Sequence, residues 1–186
     1  TDRSKVLFRR DTIIGDATPD FEMSFGNEFT WKGLSLNMLA EWRKGGQVSN
    51  LTNNLFDEGQ TSYDFDDVVQ VKMGDGTTVE RKLGAYRYDT WAGGADARAY
   101  VQDGSYVKLR EVTLSSQLPA SATEALRIGA RDLRLSVSGR NLFTWSDYWG
   151  MDPEVNNFGN QNVGRFVDLA PFPPSRSVFI SVDVGF

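Results

Sequence analysis

The chain has 186 residues, a formal net charge of −5 and a pI near 4.8, a balance that disfavours a nucleic-acid partner, because phosphate binding runs on clustered Lys and Arg. It contains neither cysteine nor histidine, which removes disulfide frameworks, thiolate nucleophiles, Ser-His-Asp triads and nearly every zinc-hydrolase arrangement. No run of about 18 apolar residues occurs, so no transmembrane helix is encoded, whereas a strand that shows lipid only its alternate residues escapes that test.

The opening TDRSKVLFRR lacks the apolar centre of a signal peptide, and a fragment of a longer chain is expected. The first strand follows at 20–31. Phe21, Met23, Phe25, Phe29 and Trp31 share one face, interrupted only by Asn27, while Glu22, Ser24, Gly26, Glu28 and Thr30 share the other. Trp31-Lys32-Gly33 reads as a tight turn into a second strand at 34–43, with Leu34, Leu36, Met38, Ala40 and Trp42 on one side and Ser35, Asn37, Glu41 and Arg43 opposite.

A long Gly- and Asp-rich span then runs from Lys44 to Gly104. Within it, Asp67–Met73 and Thr78–Leu83 flank Gly74-Asp75-Gly76, the pattern of a surface hairpin. The third strand, at 105–118, changes phase. Val107 and Leu109 are odd while Val112, Leu114 and Leu118 are even, which a β-bulge near Arg110-Glu111 reconciles. Ser121-Ala122-Thr123-Glu124 has a capping-box pattern and Gly129 suits a helix stop, so one short helix is expected before the next strand. That strand, at 133–143, sets Leu133, Leu135, Val137, Gly139 and Phe143 against Arg134, Ser136, Ser138 and Arg140. The fifth, at 177–186, alternates Val178, Ile180, Val182, Val184 and Phe186 with Ser177, Phe179, Ser181, Asp183 and Gly185.

Each of these segments is about as long as a tilted strand that crosses a bilayer. Long and short connections alternate, as they do in outer-membrane barrels with short periplasmic turns and long extracellular loops. Phe186 marks the periplasmic end. The expected fold is therefore all-β: about five C-terminal antiparallel strands of a large transmembrane β-barrel with long extracellular loops. Five strands cannot close a barrel, and open backbone edges are not tolerated in lipid. The chain is thus part of a larger barrel, or one subunit of a barrel completed by oligomerisation. A soluble β-sandwich that binds carbohydrate is the alternative, opposed by the one-sided loop lengths.

Three stretches carry a resemblance to the C-terminal end of SusC/RagA-type TonB-linked outer-membrane transporters. They are Ile14-Gly15-Asp16-Ala17-Thr18-Pro19-Asp20-Phe21; Gly104-Ser105-Tyr106-Val107-Lys108-Leu109-Arg110 with Thr113-Leu114 and Leu118-Pro119; and Ser138-Gly139-Arg140-Asn141-Leu142-Phe143-Thr144-Trp145 through Tyr148, Gly150, Asp152, Pro153, Glu154 and Val155. The resemblance implies a barrel of about 22 strands around an N-terminal plug that lies outside this chain. It further implies a SusD-like surface lipoprotein as lid, import of oligosaccharides or peptides, and energy from the TonB–ExbB–ExbD complex. It implies no cofactor and no catalytic residue.

Ile180, Val182, Val184 and Phe186 resemble the C-terminal signal read by barrel-assembly machinery. Tyr148, Trp149, Asp152 and Glu154, in the last outer loop, suit sugar stacking and hydroxyl hydrogen bonding, and equally suit a loop packed on itself or on the lid. Trp31, Trp42, Phe143 and Trp145 fit interfacial aromatic girdles. Glu22, Glu28, Glu41, Arg134 and Arg140 face the interior and suit ion pairs within the wall or to the plug. Asp64, Asp66 and Asp67 lack calcium-loop spacing and read as a solvated loop.

Overall fold

The computed structural model describes residues 12–127, 129–154 and 166–186; the TDRSKVLFRR stretch and Val155 lie outside them. In chain order the elements are β1 (Pro19–Trp31), β2 (Leu34–Gly45), β3 (Gln47–Asn50), α1 (Leu51–Glu58), β4 (Val68–Lys72), β5 (Thr78–Lys82), α2 (Leu83–Ala92), β6 (Val101–Asp103), β7 (Tyr106–Gln117), α3 (Ala120–Ala125), β8 (Asp132–Trp145), β9 (Val167–Asp168) and β10 (Ser177–Gly185). They fall into two compact units. One contains Asp20–Lys44, Ser105–Asp147 and Pro173–Phe186, and the other is built mainly on Gly45–Gly104 and the described residues from Tyr148 to Phe172.

The first unit is a wall, a five-stranded sheet in the order β1-β2-β7-β8-β10. β1 enters β2 through Lys32 and Gly33, both at positive φ (48° and 84°), the backbone that a two-residue hairpin turn matched to strand twist demands. The paired strands run antiparallel, and their register lines up the apolar residues in rows. Leu36, Leu114, Val137 and Ile180 form one row, Met38, Val112, Gly139 and Val178 the next, and Trp42, Val107 and Trp145 the last before the long connections. Most large side chains of this face are exposed: Phe29 is 60% accessible, Val137 47% and Ile180 78%. A sandwich would bury such a face against a second sheet, whereas a membrane wall turns it to lipid. Strands of 9 to 14 residues, at about 3.3 Å per residue and about 40° tilt, reach roughly 23–35 Å, enough for the hydrocarbon band. No helix among the described residues is long and apolar enough to cross a membrane.

Register shifts by one residue between Leu109 and Glu111, leaving Arg110 as the extra residue against β2. The bulge lets Arg110 and Glu111, neighbours in sequence, both serve the polar face. Arg110 donates to Glu41 (Nη2 to Oε1, 2.8 Å), which also accepts from the Tyr106 hydroxyl at 2.6 Å. Glu111 pairs with Arg140 at 3.3 Å, Arg43 with Glu22 at 3.4 Å, and Arg134 donates to Gln117 at 3.3 Å. These ion pairs and hydrogen bonds link neighbouring strands across the polar face.

The Lys32-Gly33 turn, the β7–β8 connection and the C-terminus share one end of the wall. Gln117 N–H donates to Gly33, Leu118 N–H to Leu133 and Arg131 N–H to Gly185. The helix in that connection starts one residue before the capping-box pattern. Pro119 occupies its N-cap in extended backbone, with no side-chain bond. At the opposite end lie the strand ends that feed the long connections, with aromatic rings near them: Phe21 against Trp42 at 4.8 Å and Phe143 stacked on Trp145 at 5.7 Å.

The second unit has a small sheet in which β3 lies between β6, antiparallel, and β9, parallel. Val48 and Tyr100 are its most deeply buried large side chains. β4 and β5 form the hairpin whose turn is held by Asp75, which accepts from the Thr77 N–H (2.9 Å) and hydroxyl (2.6 Å). The long span also holds two short helices, α1 and α2, beside the expected hairpin.

Candidate functional site

The second unit is organised around charge rather than apolar burial. α1 begins at Asn50, whose side chain accepts from the Asn53 N–H at 2.9 Å. The helix then buries Asn53, Asn54 and Asp57 and leaves Leu55 and Phe56 half-exposed. Asp57 receives Arg87, from α2, in a two-pronged contact (Nε to Oδ2, 2.5 Å; Nη2 to Oδ1, 2.8 Å). The same guanidinium reaches Asp64 at 3.0 and 3.1 Å. Ser62 donates to Asp57 at 2.5 Å and the Tyr100 hydroxyl donates at 2.9 Å.

This clasp fixes its own protonation. Burial alone would raise the Asp57 carboxyl, but Arg87, Ser62 and Tyr100 outweigh it and hold the group below the usual carboxylate range. Burial and the adjoining Asp57 push the Tyr100 hydroxyl well above its ordinary value, so it remains a donor. Gly84 makes the close approach of α2 possible, since a Cβ there would lie 2.2 Å from the Phe65 ring and 2.9 Å from Asp57 Oδ1.

The last long connection meets this clasp through Trp149. Its ring lies 4.5 Å from the Arg87 guanidinium carbon and 5.2 Å from the Tyr63 ring, tilted by 58°. Its backbone N–H donates to Gln102 at 3.0 Å. Tyr148 is buried and donates to Asp168 at 2.5 Å, its own hydroxyl raised far above the ordinary value by burial and by that carboxylate. Asp168 also accepts from Thr52. Asp152 is buried and accepts the Glu154 N–H at 2.8 Å, with Glu154 partly exposed. Thus Tyr148 and Trp149 are drawn into the unit with long-loop residues that the sequence did not single out: Asp57, Tyr63, Arg87 and Tyr100. Val155 lies outside the described residues.

Of the three loop aspartates, Asp64 is buried on Arg87, Asp66 pairs with Lys82 at 2.6 Å, and Asp67 accepts the Leu83 N–H through its carbonyl at 2.7 Å. Asp64 thus belongs to the clasp, whereas Asp66 and Asp67 stay exposed, as expected of a solvated loop. Among the described residues no group of three or more candidate ligands could hold a metal ion. Ile180, Val182, Val184 and Phe186 belong to the wall, on or just beyond β10, which is an edge of the sheet. All four are exposed, Phe186 at 77%.

No family model matches the chain. It is 33% identical over 178 residues to the TonB-dependent receptor P3 of Formosa agariphila, a match covering 94% of this chain and 17% of that protein. It is 27% identical over 181 residues to the TonB-dependent receptor P26 of the same organism, covering 94% and 18%. Its fold matches a chain of the RagAB peptide importer in the open-open state with a TM-score of 0.63 and 21% identity, covering all of this chain and 20% of that one. The closed-closed state gives 0.62 and 22%, covering 97% and 19%. The chain therefore spans a fifth or less of the length of these proteins.

Proposed function

Because the chain belongs to the TonB-dependent receptors of the SusC/RagA type and forms part of their outer-membrane β-barrel, we propose that it supplies barrel wall and outer loops to an importer of bulky nutrients, oligosaccharides or peptides. The importer works with a SusD-like lipoprotein lid and draws energy from the TonB complex through the part of the protein that precedes this segment. The observation that carries this reading is the in-register apolar belt of the wall, whose opposite face is polar and ion-paired. One face suits lipid and the other a lined interior. The RagAB importer is named for peptides and for a pair of components, which favours both the lid partner and bulky cargo.

Within this reading Tyr148 and Asp152 hold the last outer loop in shape, while Trp149 and Glu154 present it to cargo or lid. Ile180, Val182, Val184 and Phe186 act as the assembly signal. The test is uptake of labelled oligosaccharides and peptides by cells carrying the full-length protein. Uptake is expected to stop when TonB is removed, and to fall sharply when Gly45–Gly104 is replaced by a short turn in a barrel that still assembles. Uptake indifferent to both changes would overturn the proposal.

A further inference from the structure

Tyr63 is the one part of the aromatic cluster that the second unit leaves open. It is 83% exposed, an unusual position for a large ring fixed by contact with a second aromatic. Its ring lies 5.2 Å from Trp149, which lies 4.5 Å from the Arg87 guanidinium. Arg87 in turn meets two carboxylates, Asp57 and Asp64. Two carboxylates against one guanidinium leave the clasp with a net negative charge next to the aromatic pair. The same sign prevails around it, with ten Asp and Glu against five Lys and Arg between Gly45 and Gly104.

Aromatic faces attract cations through the ring quadrupole; the Trp149 face already holds the Arg87 guanidinium, which leaves the exposed Tyr63 ring to receive one. An acidic surface also concentrates positive ligands and repels anions. Exposed aromatic surface over an acidic clasp therefore selects for positive charge. Among bulky nutrients, the class that bears fixed positive charge along its length is the peptide containing Lys or Arg.

We propose that the exposed Tyr63 ring, held against Trp149, is a cation-accepting aromatic subsite on the outer loops, which takes a lysine or arginine side chain of a basic peptide as cargo is captured. This rests on the import reading and specifies the cargo that reading leaves open. Arg87 serves as the positioning residue, because it holds Trp149 in place through its ring face while both of its carboxylate partners are buried.

The test uses the full-length receptor with its lipoprotein partner, purified in detergent and titrated calorimetrically. The probes are a seven-residue peptide of glycine and serine with three lysines, the same peptide with glutamates for lysines, and a neutral oligosaccharide of similar size. The lysine peptide is expected to bind at least about tenfold more tightly than the glutamate peptide, with the gap narrowing as salt rises. Tyr63→Leu, at an exposed position where folding is not at stake, should weaken the lysine peptide about fivefold to tenfold and leave the other probes unchanged. Tyr63→Phe keeps the ring and should retain the affinity. Equal affinity for the lysine and glutamate peptides, no effect of Tyr63→Leu, or equal losses in the Leu and Phe variants would each overturn the subsite. Failure of the import reading itself is separable. Cells that still import labelled cargo without regard to its charge reject the subsite alone, whereas TonB-independent or absent uptake rejects the importer.

Discussion

Arg87 shows how a single side chain can replace an apolar core. Its guanidinium is shared by Asp57 on α1, Asp64 on the following loop and the face of Trp149. Arg87→Met would leave two buried carboxylates without their cation, and removing one partner of a buried pair typically costs about 3–5 kcal/mol. The expected outcome is loss of amide-exchange protection across α1 and α2 in a barrel that still resists heating in detergent. Gly84→Ala acts on the same clasp sterically. Its methyl group would meet Phe65 at 2.2 Å, and a loss of about 1–3 kcal/mol in the stability of this unit is expected by the same measurement. The pH response follows from the shifts. Asp57 titrates below its ordinary value of 3.8, so its contribution is complete above that value and is lost as pH falls through the lower, folded one. Tyr100 titrates above its ordinary 10.0, so its contribution is complete below pH 10 and drains away as pH climbs beyond it. Protection of α1 and α2 should thus hold from about pH 5 to 9. A Tyr100→Phe variant should lose part of the alkaline sensitivity, which pH-dependent exchange would detect.

At the scale of elements, the two units differ in how much of them a sequence can display. In the wall, lipid imposes a strict period of two, so Leu36, Leu114, Val137 and Ile180 were visible as members of apolar faces before the register joined them. The change of phase around Arg110 was visible for the same reason. α1 was not, because it is only eight residues long and inverted: Asn53, Asn54 and Asp57 point inward while Leu55 and Phe56 look out, so its apolar positions mark the wrong face. α2 opens with Leu83-Gly84 and owes its position to Arg87, a residue that composition assigns to the surface. The cluster of Tyr63, Arg87 and Trp149 joins positions up to 86 apart in sequence, and their partnership has no local signature. The wall's alternation also yields a paired test. Val137→Arg places a charge mid-span on the lipid face and should cost about 2–4 kcal/mol. Ser136→Arg, one residue away on the polar face, should cost little. Heat-modifiable mobility and urea unfolding in micelles would separate the two, and equal losses would contradict the assignment of faces.

For the whole molecule, the wall has two free edges, at β1 and at β10, and in lipid each must find a strand. The terminal Phe186 lies just beyond one of them, exposed. Deleting it should lower the amount of assembled receptor in the outer membrane several-fold while leaving synthesis intact, as surface labelling against total protein would show. The bulge carries a different consequence. In a wall that alternates lipid and lumen, a single-residue deletion almost anywhere in a strand exchanges the two faces for every residue beyond it. Excising Arg110 would instead restore strict alternation along β7 against β2, since it is the residue without a counterpart. Against β8 the same step sets Asn141 and Leu142 opposite Arg110, so β7 can lose a residue there and keep its faces while β8 absorbs a wider bulge. Length variation among descendants of this barrel should collect at that step, where inheritance can experiment without turning the wall inside out.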